Sequence, residues 1–529
     1  MRKIYLIIAL LATVLSLSAQ RFDPQRKIRF AEQIIENYYV DTLNMDKIVE
    51  DGIVAMLKTL DPHSTYTNAE ETKAITEPLQ GNFSGIGIQF NMLNDTLYVI
   101  QTISNGPSDK VGILAGDRII SANDTLISGV KMTNTGVQKH LRGPKGSTVN
   151  VKVKRRGVPE LLEFRIERDD IPIHSVDASY MAAPKVGYIR ISRFAESTPQ
   201  EVSEAIEKLS KEGMRDLIID LEDNGGGYLG AAFQLSDLFL PKDAPVVYTE
   251  GIRFPATHYK AETDGPLLDG RLVVMVNQYS ASASEIFSGA MQDNDRGVIV
   301  GRRTFGKGLV QRPFPLPDGS MIRLTTMRYY TPSGRSIQKP YKAGDPDSYR
   351  TDIADRYTSG ELMNADSIHF ADSLLYHTIK LNRPVYGGGG IMPDRFVPLD
   401  TTFYTPYYRD LVAKGILNRF CTNYVDDHRK EIVAEYKNEN AFVNNFHVTP
   451  DMITALTSFA ESEGVKLNVD ELATSREYIT YIIKGIIGRD IFDQSTYFRV
   501  TNPLNPIYKE ALDIINSNDY GSILTAPKS

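Results

Sequence analysis

The chain has 529 residues, 42% of them hydrophobic and 24% charged, which excludes disorder along most of its length and allows about three or four domains. Fifty-nine Lys and Arg stand against 66 Asp and Glu, so a dedicated nucleic-acid binder is excluded. A single cysteine, Cys421, excludes an internal disulfide and a cysteine-clustered metal site.

Residues 1–19 read as a secretory signal peptide. Arg2 and Lys3 precede an apolar run from Ile4 to Leu17, and Ser16, Ser18 and Ala19 give a small-residue exit. The run is shorter than the ~20 apolar residues that span a bilayer, so cleavage after Ala19 is expected rather than a retained anchor. No cysteine follows to carry a lipid. The expectation is an exported chain, periplasmic or otherwise extracytoplasmic, with membrane association as the alternative.

Residues 20–81 form an N-terminal helical segment. Ile28, Ala31, Ile34, Ile35 and Tyr38 share one helical face, and Ile48, Val49, Ile53, Met56, Leu57 and Leu60 another. Asp61-Pro62-His63-Ser64 then breaks the pattern as a turn, with His63 read as a polar turn residue.

Over residues 82–168 the apolar period changes to two. Gly85-Ile86-Gly87-Ile88 opens a strand and Leu97 to Ile100 forms another. Val149, Val151 and Val153 alternate with polar residues, as do Leu162, Phe164 and Ile166 beyond the turn Arg156-Gly157. This is one compact β-rich domain.

Residues 169–400 alternate strand and helix, which implies a central sheet covered by helices. Strands are expected at Val186–Ile191, 217–221, 272–276 and 298–300, with a helix after Thr198-Pro199. The polar stretch from about 340 to 380 reads as an insertion or loop. Residues 401–529 read as a mostly helical region with no catalytic constellation.

Two loops that follow buried strands and precede helices are placed to hold negative charge on backbone N–H groups. The first, Asn224-Gly225-Gly226-Gly227, lacks both the Walker and the dinucleotide spacing, so an oxyanion hole suits it better than a phosphate. The second is Ser280-Ala281-Ser282-Ala283-Ser284-Glu285. A serine there is equally a helix cap or a nucleophile, and a nucleophile needs a base. His258 is one candidate base. Lys307, in Gly306-Lys307-Gly308, is the other, because desolvation would lower its pKa, with Gln311 four residues on to orient it.

Ser282, Lys307 and Gln311, with the lysine 25 positions after the serine and the glutamine four after the lysine, resemble the carboxy-terminal processing peptidases, the S41 tail-specific serine proteases. Asp61-Pro62-His63-Ser64, Leu141-Arg142-Gly143-Pro144 and Ile391-Met392-Pro393-Asp394 are similar to stretches of that family in the same order. The resemblance implies an α/β crotonase/ClpP-like protease core, an inserted PDZ domain, and helical N- and C-terminal regions. It implies Ser282 as nucleophile, Lys307 as general base and Gln311 as the residue that positions the lysine. The oxyanion hole would come from Ala283 and Gly226, with Gly225 as the alternative to Gly226. Gly85, Ile86, Gly87 and Ile88 would bind a substrate's terminal carboxylate. The resemblance implies no metal and no nucleotide cofactor, and gives His63 and Arg142 no catalytic role. Its partners would be protein or peptide substrates with accessible C-terminal tails, and it leaves room for an activator or adaptor protein and for a homo-oligomer.

One departure stands out. The family usually carries Asp-Leu-Arg before the glycine loop, whereas Asp220-Leu221 here leads to Glu222. That charge reversal motivates a rival reading, a non-catalytic tail-binding scaffold with a disabled core. An acyl-CoA enzyme of the crotonase type is the other rival, and the Ser/Lys/Gln spacing and the leader both count against it.

Overall fold

The computed structural model describes residues 23–525. The expected signal peptide lies outside the described residues. Among those residues, no helix is long and apolar enough to cross a membrane.

A six-stranded sheet forms the centre, in the order Val176–Ala183, Val186–Ile191, Asp216–Asp220, Leu272–Val276, Val298–Gly301 and Arg395–Phe396. The first two strands pair antiparallel and the others parallel. Every residue of Leu272–Val276 is buried, so the strand needs cover on both faces. Ile189, Ile219, Val274 and Ile299 meet the helices Thr198–Lys211, Leu229–Asp237 and Ala283–Asp293 on one side. Tyr188, Ile218, Val273, Met275 and Val300 face the other way.

That second face is covered from the C-terminal region, where helix Pro506–Asn516 brings Ile507, Tyr508, Ala511, Ile514 and Ile515 against it. The end of the chain is therefore part of the protease core. The helices Pro406–Ala413, Ile416–Glu435, Pro450–Ser462 and Val469–Ile491 build a separate core around the buried Cys421.

The β-rich domain is an antiparallel sheet in the order Ile88–Leu93, Thr96–Thr102, Arg118–Ala122, Thr148–Lys154 and Leu161–Glu167, with helix Asn134–Leu141 packed on its core. Its two ends meet in a ribbon, Asn82–Gly85 against Asp169–Pro172, which attaches it to the core.

A third sheet carries Gln311 and joins the N-terminal segment to the core. Strand Met321–Tyr330 pairs with Leu309–Pro315 and, through Thr65↔Arg323, with Thr65–Thr67. That pairing delivers the Asp61–Ser64 turn to the lysine loop.

Two stretches hold more than the sequence pattern told. The polar 340–380 stretch is not a plain loop: it holds a 13-residue helix, Pro346–Thr358. The helix has no apolar stripe, and it is held by the Asp345 cap and by Asp352 pairing with Lys339 and Arg356. The apolar face of helix Pro24–Tyr38 forms as expected, but Ile28, Phe30 and Ile34 on that helix are exposed.

Candidate active site

The loop after strand Leu272–Val276 turns sharply into helix Ala283–Asp293, and Ser282 sits at the turn with φ +57° and ψ −111°. A side chain in that left-handed region carries strain that the surroundings must hold. Three hydroxyls lie in this loop, and two are committed. Ser280 Oγ donates to Leu221 O (2.8 Å) and Ser284 Oγ donates to Asn224 O (2.9 Å). Ser282 instead lines a cavity of about 400 Å³, together with Lys307 and Gln311.

Glu285 ties the serine to the lysine. Its carboxylate is fully buried and accepts from Ser282 N (2.8 Å), Lys307 N (2.9 Å), Gly306 N (2.7 Å) and Thr304 Oγ1 (2.5 Å). Burial pushes its pKa up, and the four donors oppose that shift. The sequence displayed Glu285 beside the serines, yet its partners other than Ser282 lie 19 to 22 residues away, and spacing carried no signal for them. Tyr329 OH adds a bond to Ser282 O (3.2 Å).

Lys307 is pushed down from 10.5 to about 8, by burial first and then by the charge of Arg323. Glu285 and Asp61 pull the other way. Gln311 Nε2 donates to Leu309 O (3.2 Å) and Thr325 Oγ1 (3.1 Å), which fixes the amide and leaves Oε1 as the atom that can accept from an amine. Thr325 Oγ1 in turn donates a hydrogen bond to Asp61 Oδ1 (2.9 Å).

Asp61 also holds Ser64 through its N–H (3.0 Å) and hydroxyl (2.5 Å). The turn read as a polar break therefore backs the site, with Thr325 between Asp61 and Gln311. His63 is pushed down to about 3, by burial first and then by the charge of Lys307, and is neutral at ordinary pH. Its Nε2 meets Tyr349 OH at 2.9 Å. His258 lies elsewhere, exposed on strand Phe254–Lys260 and stacked on Tyr248.

The glycine loop closes the cavity opposite the lysine. Its Asn224 is buried and donates to Ile191 O (2.7 Å), while its carbonyl accepts from Ala281 N (3.0 Å). The Gly226 N–H donates to Asn224 Oδ1 (2.8 Å), so in this state the N–H is already committed. What Gly226 provides here is room. A Cβ on it would lie 2.8 Å from Ser282 Cβ and 2.9 Å from Ala283 N.

The description Peptidase family S41 matches residues 185–348, a PDZ domain matches 84–166, and a family of unknown function matches 407–493. The chain is 38% identical over 315 residues to a carboxy-terminal-processing protease of Bartonella bacilliformis, an alignment covering 58% of this chain and 70% of that protein. It is 35% identical over 331 residues to the carboxy-terminal processing protease CtpB of Bacillus subtilis, covering 61% of this chain and 67% of that protein. The chain belongs to the S41 family of carboxy-terminal processing serine proteases. A photosystem II D1 C-terminal processing protease of known structure is 28% identical, with a TM-score of 0.34 over 60% of this chain and 91% of its own. The fold is that of an S41 protease with a PDZ domain between helical terminal regions, as the motifs led one to expect.

Within this family the Glu222 departure has a structural resolution. Arg190, from the neighbouring strand, donates Nη1 to Asp220 Oδ2 (2.5 Å) and Nη2 to Glu222 O (3.0 Å). A guanidinium thus braces the loop from the next strand. The Glu222 side chain accepts from Asn505 Nδ2 (2.6 Å) in the C-terminal region.

Burial, then repulsion from Asp220, raises the Glu222 carboxyl above its usual range. The folded chain therefore holds a proton that the unfolded chain releases above about pH 4.3. Stability from this group is full below that pH and is lost as pH rises through the raised value. Glu222→Gln should remove that loss, so its melting temperature should fall less between pH 5 and pH 9 than that of wild type. Parallel curves for the two proteins would contradict the assignment.

Glu285→Gln exchanges one oxygen, which takes two donors, for an NH2 group facing them. A fall in turnover of about 10- to 100-fold and a stability loss of about 2 kcal/mol or more are expected, read by steady-state kinetics and urea unfolding. Wild-type kinetics would show that the carboxylate does not organise the site.

Proposed function

We propose that this chain is an exported endopeptidase that cuts near the C-termini of protein substrates, with Ser282 as nucleophile, Lys307 as general base and the PDZ domain holding the substrate tail. The observation that carries the reading is the shared cavity: the one serine of its loop whose hydroxyl proton is not given to a backbone carbonyl lines it together with a lysine whose pKa burial has lowered to about 8.

At that pKa a useful fraction of the amine is neutral near pH 7–8. Neutral Lys307 takes the Ser282 proton as Oγ attacks the scissile carbonyl. The Ala283 N–H, at the positive end of helix Ala283–Asp293, receives the developing oxyanion. Gly226 N–H becomes a second donor when it leaves Asn224 Oδ1. The lysine ammonium then protonates the departing amine, and water, deprotonated by the same lysine, releases the acyl group. Gln311 Oε1 orients the ammonium. Ile75, Leu79, Leu229, Ile286, Leu309 and Met321 line the same cavity, so an apolar side chain beside the cut bond is preferred.

For the tail, the Ile86 and Gly87 carbonyls are bonded internally, to Ser108 N and Ile103 N (both 3.0 Å). The N–H side of the Gly85–Ile88 turn is left for a carboxylate, and the tail adds as a strand to Ile88–Leu93. The proposed extracytoplasmic setting rests on the leader alone.

The test is intact-mass spectrometry of a protein with an accessible apolar tail. Wild type should yield a discrete shortened product and Ser282→Ala none. Equal processing by both would sink the nucleophile assignment. No processing of any tail by wild type would favour the scaffold reading.

A further inference from the structure

The helical region 407–493, which matches only a family of unknown function, packs against the PDZ domain. Gln101 Nε2 donates to Arg489 O (2.8 Å) and Phe492 O (3.1 Å), and Tyr98 OH donates to Asp426 Oδ1 (3.0 Å). Arg118 pairs with Asp426, and Arg156 pairs with Asp427 at 3.1 Å. Helix Ile416–Glu435 and the end of Val469–Ile491 are thereby fixed beside the PDZ sheet.

This docking encloses a space. Strand Ile88–Leu93 is the edge of the PDZ sheet, paired only with Thr96–Thr102. Its residues 89–93 and Asn134, at the start of the adjoining helix, form one wall of a cavity of about 560 Å³. The other wall comes from the C-terminal region and includes Asn418, Arg419, Arg489 and Gln494. Among the described residues that line it there are two arginines and no Asp or Glu. Arg419 pairs with Glu463 and Arg489 with Asp490, each at 2.9 Å, but neither acid lines the cavity. Both arginine side chains are 28% exposed, so their charge still reaches the space.

We infer that the C-terminal helical region is the second wall of the tail-binding groove, and that Arg419 and Arg489 select tails carrying acidic side chains upstream of the free C-terminus. An unpaired strand edge recruits an extended peptide, and the side-chain amides around it suit a peptide backbone. The arginines then favour a carboxylate where the tail leaves the Gly85–Ile88 turn. The inference rests on the proposed reading of the PDZ domain as a tail holder, and the test separates the two.

The full chain carrying Ser282→Ala is titrated with fluorescent peptides by anisotropy. The peptides share an apolar free C-terminus and differ only in glutamate or glutamine at the third to sixth positions from it. The glutamate peptide should bind about fivefold more tightly at low salt, and Arg419→Gln with Arg489→Gln should remove that difference. Asn134→Asp adds a carboxylate from the PDZ wall, leaves the helical region intact, and should also weaken the preference. Equal affinities in the starting protein, or a preference that survives both changes, would overturn the inference. A C-terminally amidated glutamate peptide that binds as well as the free acid would instead overturn the carboxylate-anchoring reading. Binding by neither peptide would overturn both.

Discussion

Lys307→Ala should lower turnover by about 10³- to 10⁴-fold while the chain stays folded, as checked by circular dichroism. The lysine occupies a loop fixed by its own backbone N–H to Glu285 and by Gly306 N to the same carboxylate, so losing the amine leaves the loop's anchors in place. The proposed mechanism puts serine and lysine in one proton transfer, so the double variant with Ser282→Ala should be no worse than the poorer single variant. His63→Ala, His258→Ala and the parent should share one pH profile, because neither imidazole meets the serine.

The sign of the pH dependence follows from the lowered lysine value. Activity should rise with pH through about 8 as the neutral amine gains population. By linkage the unfolded lysine keeps its proton to about pH 10.4, so the folded chain gains relative stability as pH climbs from about 8 towards that value. Arg323→Gln removes the nearby like charge and should move the activity midpoint upward. A midpoint that stays fixed in that variant would show that Arg323 does not reach the amine.

Gly226→Ala should cost about 10²- to 10³-fold in kcat, an effect of the size seen when an oxyanion donor is lost. The glycine has φ +99°, where an L side chain is strained, and its new Cβ would fall 2.7 Å from Ala281 O and 2.9 Å from Ala283 N. All three of the nearest atoms belong to the turn that carries Ser282, so relief of the overlap displaces the proposed nucleophile or the proposed donor. Gly225→Ala is the control. Nothing lies within 4 Å of a Cβ there, and it should keep most of the activity. Comparable losses in both variants would indicate a general need for loop flexibility in place of this packing.

The parts of the site that were legible in the sequence were those carried by local pattern. A buried apolar strand, a small-residue turn and a helix marked the serine loop, and flanking glycines marked Lys307, while the choice of Ser282 and of Lys307 over His258 came from the family resemblance. What was illegible depends on contacts across the chain. The Asp61–Ser64 turn gained its meaning from Thr325, 264 residues from Asp61. The charge reversal at Glu222 put the loop's fixation in question, and the guanidinium that answers it, Arg190, lies on the adjacent strand in parallel register with Asp220. The cover for the sheet's second face came from Pro506–Asn516, a helix whose apolar stripe names no partner. Asn224 looked like one more loop residue, yet its amide and carbonyl tie the glycine loop to Ile191 and to the serine turn.

The most direct measurement of the central claim is the rate at which a fluorophosphonate labels the intact protein, followed across pH and located by peptide mapping. The account predicts a single adduct on Ser282, forming faster as pH rises through about 8, and slow labelling without that midpoint in Lys307→Ala. An adduct on Ser280 or Ser284, or a pH profile unchanged by Lys307→Ala, would contradict it.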